Sequence, residues 1–109
     1  MSKYRNRRLH TSEGIFDSVK EYRRWQELKL LEKAGEIVNL HRQIPFGLIP
    51  PQRVNGKLVE RGVKYIADFT YFEKDGTFIV EDAKGVRTNV YRIKRKLMLQ
   101  VHGIQIREV

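Results

Sequence analysis

The sequence predicts an α/β domain built around a mixed sheet, and three features of the chain indicate that fold class. Two long segments repeat their apolar residues at close to the 3.6-residue period of a helix. Shorter segments have the alternation, or the β-branched and aromatic composition, of strands. The length of 109 residues suits a single domain, and no internal repeat divides it. The predicted order is α-β-β-β-α-β over residues 14–109, preceded by a flexible basic arm over residues 1–13.

The first helix is predicted over residues 17–35. Ser18 and Glu21 stand in an S-x-x-E capping box, in which each residue satisfies a free backbone N–H group of the first turn. Gly35 is expected to end the helix in the left-handed conformation. The face turned towards the core is expected to contain Val19, Tyr22, Trp25, Leu28 and Leu31.

The strands of the predicted sheet are separated by turn signals. Pro45 is expected to interrupt the first strand because it cannot donate to a ladder. Residues 50–62 are polar and turn-rich, which predicts a mobile loop, and residues 74–76 form a hairpin turn. The predicted strands are 37–44, a short edge strand 46–49, 63–72 (with Tyr65, Ala67, Phe69 and Tyr71 on one face), 78–84 and 104–109.

The second helix is predicted to begin at Thr88 or Asn89 and to end at Gly103. It combines apolar residues at helical spacing with cations that no acidic residue interrupts. Such a run is typical of a surface that neutralises phosphates, and it predicts DNA binding. The apolar positions are Val90, Ile93, Leu97 and Val101, and the expected DNA-binding cations are Arg87, Arg92, Lys94, Arg95 and Lys96.

Charge and composition exclude several classes of protein. The formal net charge is +9, with four basic and no acidic residues over 1–12 and seven basic residues against one acid over 83–109. This distribution favours a polyanion partner, above all nucleic acid. The absence of cysteine excludes disulfides, thiolate zinc sites and thiol catalysis. No apolar run is long enough to span a membrane, so a cytoplasmic protein without a membrane partner is expected.

Two aspartates on the predicted hairpin carry the strongest chemical signal. If the loop is residues 74–76, Asp68 and Asp82 face each other, whereas a register one residue different places Asp68 opposite Ala83. Opposed carboxylates repel, and a divalent cation removes the conflict. Lys84 lies on the same face as Asp82, where it either orients the attacking water or simply neutralises the aspartates.

The arrangement resembles the PD-(D/E)XK nuclease superfamily, whose fold is that of the restriction endonucleases. Asp68 matches its first aspartate and Asp82-x-Lys84 matches its (D/E)-x-K element. Glu21 matches the glutamate of its leading helix. The runs F-D-S-x-x-E (16–21) and E-D-A-K-G (81–85) look like a small phage-type branch, similar in size to Holliday-junction resolvases. The chain departs from the pattern at Ala67, where the superfamily's name has proline.

The resemblance implies a Mg²⁺-dependent DNA endonuclease, with Mn²⁺ as a substitute ion, acting on branched or junction DNA. It implies catalysis by Glu21, Asp68, Asp82 and Lys84, and metal ligation by Asp68, Asp82, the backbone carbonyl of Ala83 and Glu21. It also implies a homodimer, encoded by a phage and acting in the host cytoplasm. The alternative is a non-catalytic DNA-binding module with a nuclease fold, and RNA remains open as a substrate.

Three residues keep a second interpretation. Glu21 is also the N3 residue of the capping box, which would account for it without catalysis. Gln43 is polar within an apolar strand. It is either a contact for DNA or the metal site, or an ordinary edge residue. Glu81 competes with its neighbour for the ligand position; Asp82 is preferred because it lies two residues before Lys84 and therefore shares its face.

Overall fold

The computed structural model describes residues 8–83 and 87–109, and within them it has two helices and eight strands. This mixture of helices with a mixed sheet confirms the predicted fold class. Neither helix is long and apolar enough to cross a membrane. The elements are β1 (Leu9–Thr11), β2 (Gly14–Phe16), α1 (Val19–Lys33), β3 (Ile37–Ile49), β4 (Gln52–Val54), β5 (Lys57–Glu60), β6 (Val63–Glu73), β7 (Phe78–Asp82), α2 (Asn89–His102) and β8 (Arg107–Glu108).

The central sheet has four strands in the order β3-β6-β7-β8. The first two pairings are antiparallel, and β7 and β8 run parallel. The helices cover opposite faces, because the consecutive β7 residues Ile79 and Val80 pack into different clusters. The cluster under α1 contains Leu28, Ile37, Phe69, Tyr71 and Ile79, and the cluster under α2 contains Leu48, Tyr65, Ala67, Val80, Tyr91, Met98 and Ile106.

The ends of α1 agree with the sequence prediction, but its buried face is narrower. Ser18 is the N-cap and its Oγ accepts from the Glu21 N–H at 3.1 Å. Gly35 follows the C-cap with φ +79°, the left-handed conformation that glycine adopts without strain. Of the predicted apolar face, Leu28 is fully buried, whereas Val19 and Leu31 are exposed. A single stripe through Leu28 therefore anchors the helix.

The prediction that Pro45 interrupts a strand is wrong, because β3 continues through it to Ile49. Pro45 pairs with Ile66 inside the β3–β6 ladder. Proline is tolerated there since β3 is an edge strand, where a missing N–H donor leaves no neighbouring strand unpaired.

Two further hairpins replace segments predicted to lack regular structure. In the expected arm, β1 pairs with β2, so the arm prediction is wrong at Leu9–Thr11; residues 1–7 lie outside the described residues. In the expected loop, β4 pairs with β5 across Asn55 and Gly56. Both residues have positive φ, +52° and +78°, as a two-residue type I′ turn requires.

The β6–β7 hairpin has the predicted register over its described pairs, from Phe72↔Phe78 to Phe69↔Glu81. All four residues predicted to share a face of β6 are buried, but they divide between two clusters. Tyr65 and Ala67 pack under α2, and Phe69 and Tyr71 pack under α1. The face of β6 that contains these four residues therefore packs towards α2 before Asp68 and towards α1 after it.

α2 has the predicted ends, with Thr88 as N-cap and Gly103 as a left-handed C-cap at φ +68°. Its predicted apolar face is wrong at three of four positions, and only Leu97 packs against the cluster under α2. Tyr91 and Met98, two turns apart, are buried, whereas Val90, Ile93 and Val101 are exposed. The last strand is shorter than predicted, because only Arg107–Glu108 pairs with β7.

Candidate active site

Asp68 and Asp82 lie at the open end of the β6–β7 hairpin. Continuing the register by one position from Phe69↔Glu81 places them opposite each other. Asp82 is 1% exposed, and its Oδ2 accepts from the hydroxyl of Tyr65 at 2.5 Å. The Oδ2 of Asp68 accepts from the Ala83 N–H at 2.9 Å. Ala83, expected to offer its carbonyl to a metal, thus contacts Asp68 through its amide.

Glu21 approaches this pair from α1 and is 2% exposed. Its Oε1 accepts from the backbone N–H of Asp17 at 3.1 Å. In a capping box the donor would be the N-cap, Ser18, so the observed donor lies one residue earlier. Its Oε2 accepts from the Gln43 side-chain amide at 3.1 Å and lies 3.7 Å from Nη2 of Arg42. Glu21 is therefore both a helix-end acceptor and part of a polar cluster.

Gln43 holds an uncommon backbone conformation beside the aspartates. Its φ is +54°, in the left-handed region that side chains other than glycine rarely adopt. The ladder pairs Arg42↔Phe69 and Ile44↔Ala67 flank it, so Gln43 and Asp68 occupy the intervening positions of β3 and β6. Backbone strain of this kind costs about 1–3 kcal/mol and is concentrated at functional sites.

Two of these three carboxylates have raised pKa values, each with burial as the main cause. Burial, reinforced by the hydrogen bond to Asp82 and by the charges of Asp82 and Glu21, raises the pKa of Asp68 to about 8. Burial also raises the pKa of Glu21, and the nearby charges of Asp17 and Asp82 act in the same direction. A chain of net charge +9 thus brings three acids together where their negative charges are mutually unfavourable.

Glu81, the rival of Asp82, lies on the other side of β7. It is fully buried and forms a two-point ion pair with Arg24 of α1, at 2.6 and 2.9 Å. The hydroxyl of Tyr71 donates to it at 2.6 Å. Because Arg24 balances its charge, Glu81 joins α1 to the sheet and takes no part in the carboxylate cluster.

The remaining predicted residues fall into three groups. Lys84 lies outside the described residues. Arg87 and Arg95 are ion-paired with Glu108 of β8, at 3.1 and 3.2 Å. Arg92, Lys94 and Lys96 complete the predicted basic run; Lys94 is half-buried, and the other two are exposed.

Two residues of this site, Tyr65 and Arg42, were not among those predicted from the sequence. Tyr65 was expected only as a core residue, and no local pattern could reveal that its hydroxyl crosses to β7. The guanidinium of Arg42 stacks on Phe16, 3.7 Å from the ring centroid, and donates to the carbonyl of Ile15 at 2.9 Å. Its signal was the polar run His41-Arg42-Gln43 between the apolar residues Leu40 and Ile44.

The chemistry of these donors suits a hard cation. Carboxylate oxygens are preferred by Mg²⁺, which takes one or two of them and fills its shell with water and substrate phosphate. A cation would also relieve the repulsion that raises the pKa of Asp68. Among the described side chains no group of three or more His, Asp and Glu is arranged to enclose an ion. The fit is therefore to an open site held by Asp68 and Asp82.

Comparison with known proteins gives a family without an assigned activity. A family model described as "Protein of unknown function (DUF1064)" matches residues 1–108. No curated protein and no solved structure matches the chain significantly.

Proposed function

The chain belongs to the DUF1064 family, and from its own residues we propose that it is a Mg²⁺-dependent DNA endonuclease of the PD-(D/E)XK type. The observation that carries the proposal is the convergence of Glu21, Asp68 and Asp82 from three elements into one buried cluster. A protein that only bound DNA would gain nothing from acids placed together within a basic molecule. A nuclease needs such acids, two of them as metal ligands and a third to position or deprotonate water.

Asp68 and Asp82 would hold the ion. Once bound, Mg²⁺ supplies positive charge at the scissile phosphate and makes a neighbouring water a stronger nucleophile. The remaining chemistry belongs to side chains. The Tyr65 hydroxyl fixes the orientation of Asp82, and the Ala83 amide fixes that of Asp68. Two rigid strands therefore preset the distance between the ligands before any ion or substrate arrives.

Glu21 would act as a proton acceptor or water-orienting group beside the ligands. Its raised pKa lies closer to neutral pH, the range in which a general base works best. Gln43 and Arg42 hold its Oε2 and limit its rotation. Lys84 keeps its sequence-based role, which is to orient or deprotonate the attacking water.

The direct test is incubation of the purified protein with linear duplex, single-stranded and four-way-junction DNA, each with Mg²⁺ and with EDTA. We expect Mg²⁺-dependent breaks in DNA, with the junction cut fastest. Binding without any cleavage in Mg²⁺ or Mn²⁺ would instead favour the non-catalytic DNA-binding module. An equivalent RNA panel decides between the two nucleic acids.

A further inference from the structure

A groove between β6 and α2 opens beside the carboxylate cluster, with a volume of about 340 Å³. Tyr65 forms part of its lining and is also the residue that donates to Asp82. The groove is thus connected to the candidate active site through one side chain. Its other lining residues include Lys64 and Ile66 from β6 and Val90 and Lys94 from α2.

The two lysines of this groove differ from two neighbouring arginines. Within the part of the chain that the structure describes, the side-chain ammonium groups of Lys64 and Lys94 have no ion-pair or hydrogen-bond partner. Arg87 and Arg95, by contrast, are both held by Glu108. Of the residues that the structure describes, none that lines the groove carries a carboxylate. Two cations on facing elements with no counter-charge between them favour an anionic ligand.

The apolar part of the lining is exposed as well. Ile66 is 45% exposed and Val90 is 61% exposed. A small anion would leave these side chains in water, whereas a nucleic-acid strand presents phosphates to the lysines and the apolar edge of its sugars to the aliphatic side chains. The groove therefore suits a nucleotide chain better than a free phosphate.

We infer that this groove receives the DNA backbone next to the scissile phosphate, with Lys64 and Lys94 as its phosphate contacts. The inference rests on the proposed nuclease function and adds the path of the bound strand to it. Helical geometry excludes Arg92 and Lys96 from the same path. A residue two positions from Lys94 is rotated by roughly 200° around the helix, so it lies on nearly the opposite side.

The test measures affinity for a fluorescent DNA duplex over a range of salt concentrations in EDTA, so that cleavage does not enter the result. Lys64→Gln and Lys94→Gln are each expected to flatten the plot of log affinity against log salt by about 0.9, the slope carried by one phosphate contact. Lys33→Gln, on the last turn of α1, is the control that removes the same charge elsewhere and should leave the slope unchanged.

Two results separate the inference from the function on which it rests. If the wild-type protein binds DNA with a steep salt dependence and neither groove variant alters it, the groove inference is overturned and the nuclease proposal stands. The inference also fails if Lys33→Gln flattens the slope as much as the groove variants, because the effect then belongs to net charge. A wild-type protein that does not bind DNA overturns both.

Discussion

Glu81 and Asp82 are neighbours in sequence whose side chains have different partners on the two sides of β7. The two-residue alternation of β7 sends Glu81 to Arg24, where a charge-assisted ion pair also raises the pKa of the guanidinium. Asp82 is sent to the side of Tyr65, whose hydroxyl donates to it, and its charge helps to raise the pKa of Asp68. One pair of acids thus contains a structural residue and a candidate metal ligand.

Asp68 is expected to make the stability of the metal-free protein depend on pH. It keeps its proton to about pH 8 in the folded state but releases it near its ordinary pKa of 3.8 when unfolded. The folded state therefore binds more protons within this interval, and stability is lost as the pH rises through it. Asp68→Asn removes the titration, and its amide can still donate to Asp82.

Thermal unfolding in EDTA measures this effect. Asp68→Asn should be more stable than the wild type at pH 8, by up to about 5 kcal/mol, with little difference at pH 4. A stability difference that is the same at both pH values would mean that Asp68 is not the group that titrates.

Glu21→Gln separates the helix-end role of Glu21 from a catalytic one. Glutamine can accept from the Asp17 N–H, and Gln43 can turn its amide to remain paired. The free energy of unfolding should therefore change by no more than about 1 kcal/mol, while the rate of cleavage falls by roughly 10²-fold or more. A variant that melts and cuts like the wild type would leave Glu21 as a capping residue only.

At the scale of elements, the β4–β5 hairpin is the least supported part of the fold. Every residue from Gln52 to Glu60 is exposed, so its two strands are stabilised by little besides their own ladder. Joining the paired residues Gln52 and Glu60 through a two-residue Asn-Gly turn should leave the Tm of the domain nearly unchanged. Loss of the cooperative unfolding transition in this deletion would show that the hairpin contributes to the core.

Elements whose ends are marked by residues close in sequence were predictable, whereas features that depend on neighbouring strands in the folded sheet were not. Ser18, Gly35 and Gly103 mark helix ends by chemistry contained within a few residues. The passage of β3 through Pro45 depends on its position at the sheet edge, which no local pattern encodes. The Asn55-Gly56 turn did have a local signal, but the polar residues around it hid the alternation that marks a hairpin.

The candidate site was predictable to a similar extent. Turn length fixed the register that opposes Asp68 and Asp82. The contacts from Tyr65 to Asp82 and from Gln43 to Glu21 join residues 17 and 22 positions apart, so only the folded sheet brings them together. The predicted face of α2 was wrong because Tyr91 and Met98 fill the contact with the sheet and leave Val90 and Ile93 outside it.

For the molecule as a whole, the acids oppose the DNA affinity that the net charge of +9 provides. Asp82→Asn should therefore bind duplex DNA in EDTA at least as tightly as the wild type, and up to about tenfold more tightly, since a negative charge leaves the groove region. Asp75→Asn, in the turn at the far end of the hairpin, removes an equal charge and should change affinity little. Weaker binding by Asp82→Asn in a folded protein would contradict this.

The most direct measurement is Mg²⁺-dependent DNA cleavage by the wild type, Asp82→Asn and Asp75→Asn under identical conditions. We expect that the wild type and Asp75→Asn cut at similar rates, that EDTA abolishes cutting by both, and that Asp82→Asn binds DNA but does not cut it. Mg²⁺-dependent cutting by Asp82→Asn at the wild-type rate would remove the carboxylate cluster from the active site and contradict the central claim.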